Sequence, residues 1–486
     1  MIDLTLVALY LVVMLTVGWR ARKGSPASYW VAERRSDTLR VAASLVATIF
    51  GASSAVGIVG LGYSRGLTGA WWALMGGIAL VPFALFVAPK VRHLEVYTLP
   101  DILHRAYGHR VSIPGAILIA VAWCGVVAAQ IVAGALLLGG VSTLPFQAAV
   151  AVIAIAFVLY TFWGGQVSVL RTDSWQLALF VGGLVATLAL VTGAVADSGG
   201  VGASIPTGLL DFPVSEGFGW YELLVFYPLI VGLPYLVGPD IYSRVLCAED
   251  ERAARNASLL AAVAVIPLSI LLAFLGLMIH AYVPGLAPET ALPTVVMDLA
   301  PVGLKGLIVV GVLGAIMSSA DTTLISASTI LSLNVASPIA DRWRHPEAGL
   351  SRDEELRLTR GFVVVVGAAA WIIAAAQGGI ISSLLLAYTV FVGGVVLPTL
   401  ASFWRIRLGI TSNTAMWAVI IGGGTAALAG IRGGAALRWI VGEGGSERLE
   451  TVLGPEYASL LPVLLSLVVL LVGRLGARDR NTVERA

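Results

Sequence analysis

The run GAIMSSADTTLISAS, residues 314–328, sets an aspartate in the middle of a long apolar stretch. If that stretch spans a bilayer, the carboxylate costs ~2.5–3.5 kcal/mol to insert and marks an ion or proton path. Ala315, Ser318, Ser319 and Thr322 fall at i, i+3, i+4 and i+7, so a helix puts them on one face with Asp321 beside it. That face offers three hydroxyls and a carboxylate, the hard oxygen donors that alkali and alkaline-earth cations prefer. A lone serine bonds back to its own helix and means little; a stripe with an acid points to a cation. Asp173, in RTDSWQ, is a second candidate. Its plainer role is an acid at a helix start, favoured by ~0.3–1 kcal/mol.

The elements that must hold these groups are apolar helices. Of the 486 residues, 58% are hydrophobic and 12% charged, against roughly 25% charged in soluble domains. A bilayer core of ~30 Å needs ~20 apolar residues per helix. Thirteen such windows occur, at 3–20, 40–62, 70–89, 112–138, 145–163, 172–196, 220–238, 257–283, 303–336, 360–376, 380–404, 413–430 and 457–474. The first lacks a basic n-region and an A-x-A site, so it is expected as a retained helix. Basic residues test the count, because cytoplasmic loops are rich in them. Alternate loops hold 25 of the 30 Lys and Arg, the densest being 20–40 and 342–360. The amino terminus is therefore expected outside and the carboxyl terminus in the cytoplasm, in a multi-pass protein of the inner (plasma) membrane. Segments 197–216 and 432–457 are expected outside.

Two windows are rich in helix breakers. Residues 43–65, ASLVATIFGASSAVGIVGLGYSR, carry Gly51, Gly57, Gly60 and Gly62; residues 226–240, FYPLIVGLPYLVGPD, carry Pro228, Pro234 and Pro239. An unpaired peptide group in hydrocarbon costs several kcal/mol, so broken helices survive only where they line protein or water. These are the second and seventh windows. Interrupted helices at matching places of two halves point to an inverted repeat with a binding site at the midplane.

Several other chemistries are excluded or unsupported. A net charge of +2 gives no case for nucleic acid. Cys124 and Cys247 make no disulfide framework. No H-E-x-x-H occurs, and His93, His104, His109, His280 and His345 are scattered, so no catalytic set is visible and an enzyme is not expected. A channel would need a continuous polar lining, and only the ninth window is polar enough.

The motifs SPASYWVAERR (25–35), GYSRGL (62–67), TLPDIL (98–103), GGQVSVLRTDSWQ (164–176), GPDIYSRVLCAED (238–250) and GAIMSSADTTLISAS (314–328) occur in this order. In that arrangement the chain resembles the sodium/solute symporter family. The resemblance implies an all-α polytopic membrane protein with a five-plus-five inverted-repeat core of the leucine-transporter type. One helix and its loop (1–39) precede the core. The repeats approximate 40–238 and 220–410, with a boundary near 215, and two helices and a tail (411–486) follow. It further implies a first sodium held by the carbonyls of Ala47, Phe50 and Ala315 and the hydroxyls of Ser318 and Ser319. Asp173, Ser318, Asp321 and Thr322 match a second sodium site of some members. Asp321 stands where many members have serine, so this second site is open between sodium and a proton.

The expected activity is sodium-coupled symport of a small organic solute, with Na+ as coupling ion and no cofactor; proton coupling through Asp173 or Asp321 is the alternative. Where sugar carriers place Asn, Glu and Gln in the broken helix, this chain has Ile49, Ser53 and Ser54. The remaining candidates for the solute pocket, besides Ser53 and Ser54, are Trp71, Trp72, Tyr235 and Tyr388. Aromatic rings in a cavity suit an apolar ring or a quaternary ammonium, so an amino acid, a quaternary ammonium or a related compound is the expected solute.

Overall fold

The computed structural model describes residues 1–51, 53–197, 205–343, 349–376, 379–430, 438, 442–454 and 456–483. The helices that matter here are α1 (Ile2–Ala21), α2 (Thr38–Ile49), α3 (Val59–Arg65), α4 (Trp71–Pro82), α5 (His109–Val141), α6 (Phe146–Asp197), α7 (Leu233–Val237), α8 (Pro239–Val245), α9 (Glu251–Tyr282), α10 (Leu304–Ile330), α11 (Arg352–Ala376), α12 (Ile380–Phe391), α13 (Ser412–Gly430) and α14 (Tyr457–Val483). Polar caps start several of them. Asp37 accepts from the Arg40 amide at 2.9 Å ahead of α2, and Asp250 from the Ala253 amide at 2.6 Å ahead of α9.

Ten helices among the described residues are long and apolar enough to cross a membrane. The thirteen windows exceed that number for three reasons. The run Ser54–His93 merges the second half of one window with the next, α6 contains two, and α13 is not among the ten. As one straight rod, the 52 residues of α6 would reach about 78 Å. Gly165, at φ 65° and ψ −172°, breaks it into two arms. The eight-residue loop expected at 164–171 is thus a single-residue break, and Asp173 lies inside the second arm rather than at a helix start.

Both breaker-rich windows are interrupted. The first opens after α2 at Phe50, with φ −88° and ψ 46°, and resumes as the π-helical turn Ser53–Ile58 and α3. The second runs as the wide turn Glu222–Gly232 into α7, stops at Gly238 and resumes as α8. Around them α9 packs on α2, α3 and α4, while α13 and α14 pack on each other. Helix α10 makes its largest interface with α6, and every residue from Ile308 to Ile330 is buried. Large apolar side chains on the outer helices, among them Val121, Ile155, Val263 and Ile372, are exposed instead, as expected where the surrounding medium is lipid.

One charge departs from its expected place. Arg244, counted above with the cytoplasmic loop residues, is fully buried, and Cys247 beside it is buried as well.

Candidate functional site

The site grows from the break between α2 and α3. A stretch without helical dihedrals leaves main-chain carbonyls without helical partners, and in a dry interior these need donors. Ser54 Oγ donates to the Ile49 carbonyl at 2.8 Å, and Ser319 Oγ, from α10, donates to the Thr48 carbonyl at 3.0 Å. The second bond ties α10 to the break. The approach is close because residue 51 is glycine: a Cβ there would lie 2.5 Å from both Cβ and Oγ of Ser319. Ala47, Phe50, Ala315, Ser318 and Ser319, the residues expected to hold a first sodium, are all buried, and Ser319 reaches the chain between Ala47 and Phe50.

Ser318 turns the other way. Its Oγ donates to Asp173 Oδ1 at 2.6 Å, and Ser44 of α2 donates to Asp173 Oδ2. The same Oδ2 lies 3.3 Å from Arg244 Nη2, both side chains being wholly shielded. The guanidinium also donates to Thr48 Oγ1 at 3.1 Å, to Gln166 Oε1 and to Thr322 Oγ1. A buried carboxylate is tolerable only when its charge and lone pairs are met, and here one cation and two hydroxyls meet them. Of the four residues matched to a second sodium, Asp173 and Thr322 thus contact the guanidinium of Arg244, and Ser318 contacts Asp173.

The fourth, Asp321, faces elsewhere. Thr161, on the first arm of α6, donates to its Oδ1 at 2.8 Å. Its Oδ2 is buried and has no hydrogen-bond partner among the described residues. The SPASYWV motif supports this arrangement: Tyr29 donates to the Thr161 carbonyl at 2.9 Å, and its ring fills the space beside Gly165, where a Cβ would come within 2.5 Å.

A narrow cavity of about 30 Å³ adjoins the break. Thr48, Ile49, Ser319, Tyr235 and Tyr388 line it, together with Trp123, Gln130 and Asp240. Room of that size suits about one water, so a solute needs the walls to part. Of the other expected pocket residues, Trp72 stacks behind Tyr388 with ring centres 6.4 Å apart, and Ser54 is committed to the break. Trp71 does not line the cavity. Its Nε1 donates to the Pro213 carbonyl at 2.8 Å, and its ring lies on Phe212. The side chain of Ser53 lies outside the described residues.

Reading the sequence alone missed Arg244, Ser44, Thr161 and Gln166 around Asp173 and Asp321, and Trp123, Gln130 and Asp240 in the cavity. Arg244 carried a usable signal. Only six residues separate it from the break at Gly238, about 9 Å of helix, too short to carry the chain from a midplane break to water. The chemistry available is reversible ion and solute binding by hydroxyls, carbonyls and carboxylates. Among the described residues no three His, Cys, Asp or Glu side chains converge as a metal cluster would require.

The arrangement has counterparts among known proteins. The chain is 26% identical over 476 residues to sodium/myo-inositol cotransporter 2 of Oryctolagus cuniculus, covering 86% of this chain and 68% of that one. It is 24% identical over 468 residues to the sodium/glucose cotransporter of Vibrio parahaemolyticus, covering 86% and 82%. Against the mouse sodium/myo-inositol cotransporter 2 it spans 62% of the relative's length. In three dimensions it resembles a Na+-coupled sialic acid symporter solved in a substrate-bound outward-open state. The TM-score is 0.71 at 17% identity, with 96% of this chain and 98% of that one covered; at such identity the likeness is one of fold. The all-α membrane architecture expected of the leucine-transporter type is therefore the one found. A broken helix clamped to a buried polar helix, on this fold, agrees with the family model for sodium:solute symporters, which matches residues 29–422. The chain belongs to the sodium:solute symporter family.

Proposed function

We propose that this protein is a sodium-coupled symporter that moves a small organic solute by alternating access. The observation that carries the reading is that Thr48 and Ser319 belong at once to the clamp between the helix break and α10 and to the wall of the cavity. Sodium bound by the Ala47, Phe50 and Ala315 carbonyls and the Ser318 and Ser319 hydroxyls would join the same two elements and so fix the cavity wall. One charge crossing ~100 mV supplies ~2.3 kcal/mol, enough for roughly 50-fold accumulation. The repeats are taken as 40–238 and 220–410, with thirteen crossings, the amino terminus outside and the carboxyl terminus in the cytoplasm of a plasma-membrane protein.

One sodium per cycle is the stoichiometry we favour, because Arg244 already supplies the positive charge that Asp173 needs. A second reading, in which Asp321 takes up a second cation or a proton, is favoured by its unpartnered Oδ2. For the solute, Asp240 and the rings of Trp123, Tyr235 and Tyr388 favour a small compound with an amine or quaternary ammonium group. The named relatives carry inositol or glucose, so polyols are the competing class.

The test is a thermal-shift screen of purified protein against amino acids, betaine, choline, glucose and myo-inositol, each in sodium and in potassium. Stabilisation by an ammonium compound in sodium only is the expected result. Equal stabilisation in potassium would remove the sodium coupling, and stabilisation by the polyols alone would remove the ammonium class.

A further inference from the structure

We propose that a basic depression sharing no wall residue with the solute cavity is a binding site for the phosphodiester headgroup of an anionic phospholipid. It lies where four short segments meet: Ala88–His93, Leu99–Tyr107, Leu397–Ser402 and Arg405–Leu408. Two adjoining parts, of about 590 and 460 Å³, share Lys90, Arg105 and Phe403 in their walls, and Arg405 and Arg407 complete the larger one.

The cations divide by what they already hold. Lys90 Nζ sits 4.5 Å from the centre of the Trp404 ring. Arg405 donates to the Ala106 carbonyl and lies 5.3 Å over the ring of Tyr107. These contacts fix the walls. Arg105 and Arg407 are exposed and make no hydrogen bond or ion pair among the described residues. Glu251, the carboxylate in the lining, is held by His93 at 2.8 Å. Two unengaged cations in a concave wall offer a phosphate charge-assisted N–H donors.

A free phosphate would satisfy the same groups. What selects a lipid is the apolar material between the charges. Ile406, flanked by two arginines, is 96% exposed, and Trp404 is 37% exposed, both on the short turn between apolar helices. Such side chains are at home at a membrane–water boundary, the tryptophan at headgroup level and the isoleucine among acyl chains. Basic pockets between helix ends on the cytoplasmic side are suited to anionic headgroups. The inference rests on reading this face as the cytoplasmic membrane surface; it needs neither sodium nor a particular solute.

The experiment compares thermal unfolding of the whole protein in detergent with added phosphatidylglycerol, phosphatidylcholine or free glycerol phosphate. Phosphatidylglycerol should raise the midpoint by several degrees, and the other two should not. In R105Q/R407Q most of that rise should be lost, while in R105K/R407K most of it should remain. Equal rises in wild type and R105Q/R407Q overturn the site, and an equal rise with glycerol phosphate replaces the lipid by a soluble anion. The sodium-induced shift is recorded for every variant. Its retention shows an intact fold, and its absence from wild type counts against sodium coupling and not against the lipid site. Should R105Q/R407Q lack a folded state, native mass spectrometry of R407Q alone decides. A phosphatidylglycerol adduct lost from R407Q and kept in R407K supports the site, and an adduct kept in both overturns it.

Discussion

Removing one partner from a buried ion pair leaves a bare charge where no water can reach it, and costs about 3–5 kcal/mol. For Asp173 and Arg244, whose side chains are fully shielded and 3.3 Å apart, Arg244→Ala is therefore expected to lower the unfolding midpoint sharply. Asp173→Asn combined with Arg244→Gln removes both charges and should lose much less than the two single changes added. A thermal double-mutant cycle measures this, and strict additivity would sink the pairing. Ser319→Ala asks a different question. It removes one oxygen and the bond to the Thr48 carbonyl, so apparent sodium affinity should fall by roughly tenfold or more, about 1–3 kcal/mol. Solute affinity in saturating sodium should recover, and sodium-dependent binding isotherms would show whether it does. At this scale the sequence revealed groups that are costly in lipid wherever they sit, such as Asp321 and the hydroxyls around it. It concealed Thr161, because a threonine in a helix looks the same whether it meets water or an acid.

Between residues and fold stand the places where helices stop. The breaks at Phe50 and Gly238 were legible because glycines and prolines crowd windows otherwise long enough to span. The break at Gly165 was legible only as a gap between windows, since one residue at positive φ replaces a loop. That residue has two reasons to be glycine: its φ of 65° and the Tyr29 ring against it. Gly165→Ala should cost about 1–3 kcal/mol, because φ 65° with ψ −172° is a region that only glycine adopts readily. Gly182, on the same helix with nothing within 4 Å of an added Cβ, is the control. There alanine should be neutral or gain up to about 1 kcal/mol. Equal midpoints for the two variants would remove the break from the list of constraints.

For the molecule as a whole, the alternation of basic loops predicts an orientation that can be tested directly. In a background lacking Cys124 and Cys247, a cysteine at Thr207 should react with an impermeant thiol reagent applied to intact cells, and one at Ser351 should not. Reaction at Ser351 would invert or break the proposed topology. Fold class was legible at this scale because lipid leaves few options: each window must be a helix. The cavity was not. Trp123, Gln130 and Asp240 converge from α5 and α8, and the distances along the chain between them carry no trace of that meeting.

From Ile308 onward helix α10 has no side left over for lipid, and eight of the twelve residues from Ser318 to Thr329 are polar. During synthesis such a segment gains little by partitioning sideways from the translocon into hydrocarbon, where each hydroxyl and the carboxylate would cost free energy. Its main partner α6, like α1, α2 and α5, is made earlier. Most of the surface that α10 packs on is thus synthesised before α10 emerges, so the helix would pass directly onto protein; α11, which also packs on it, follows later. Substitutions that loosen α6 would then reduce the number of molecules that complete membrane insertion, while those that do complete it would transport normally.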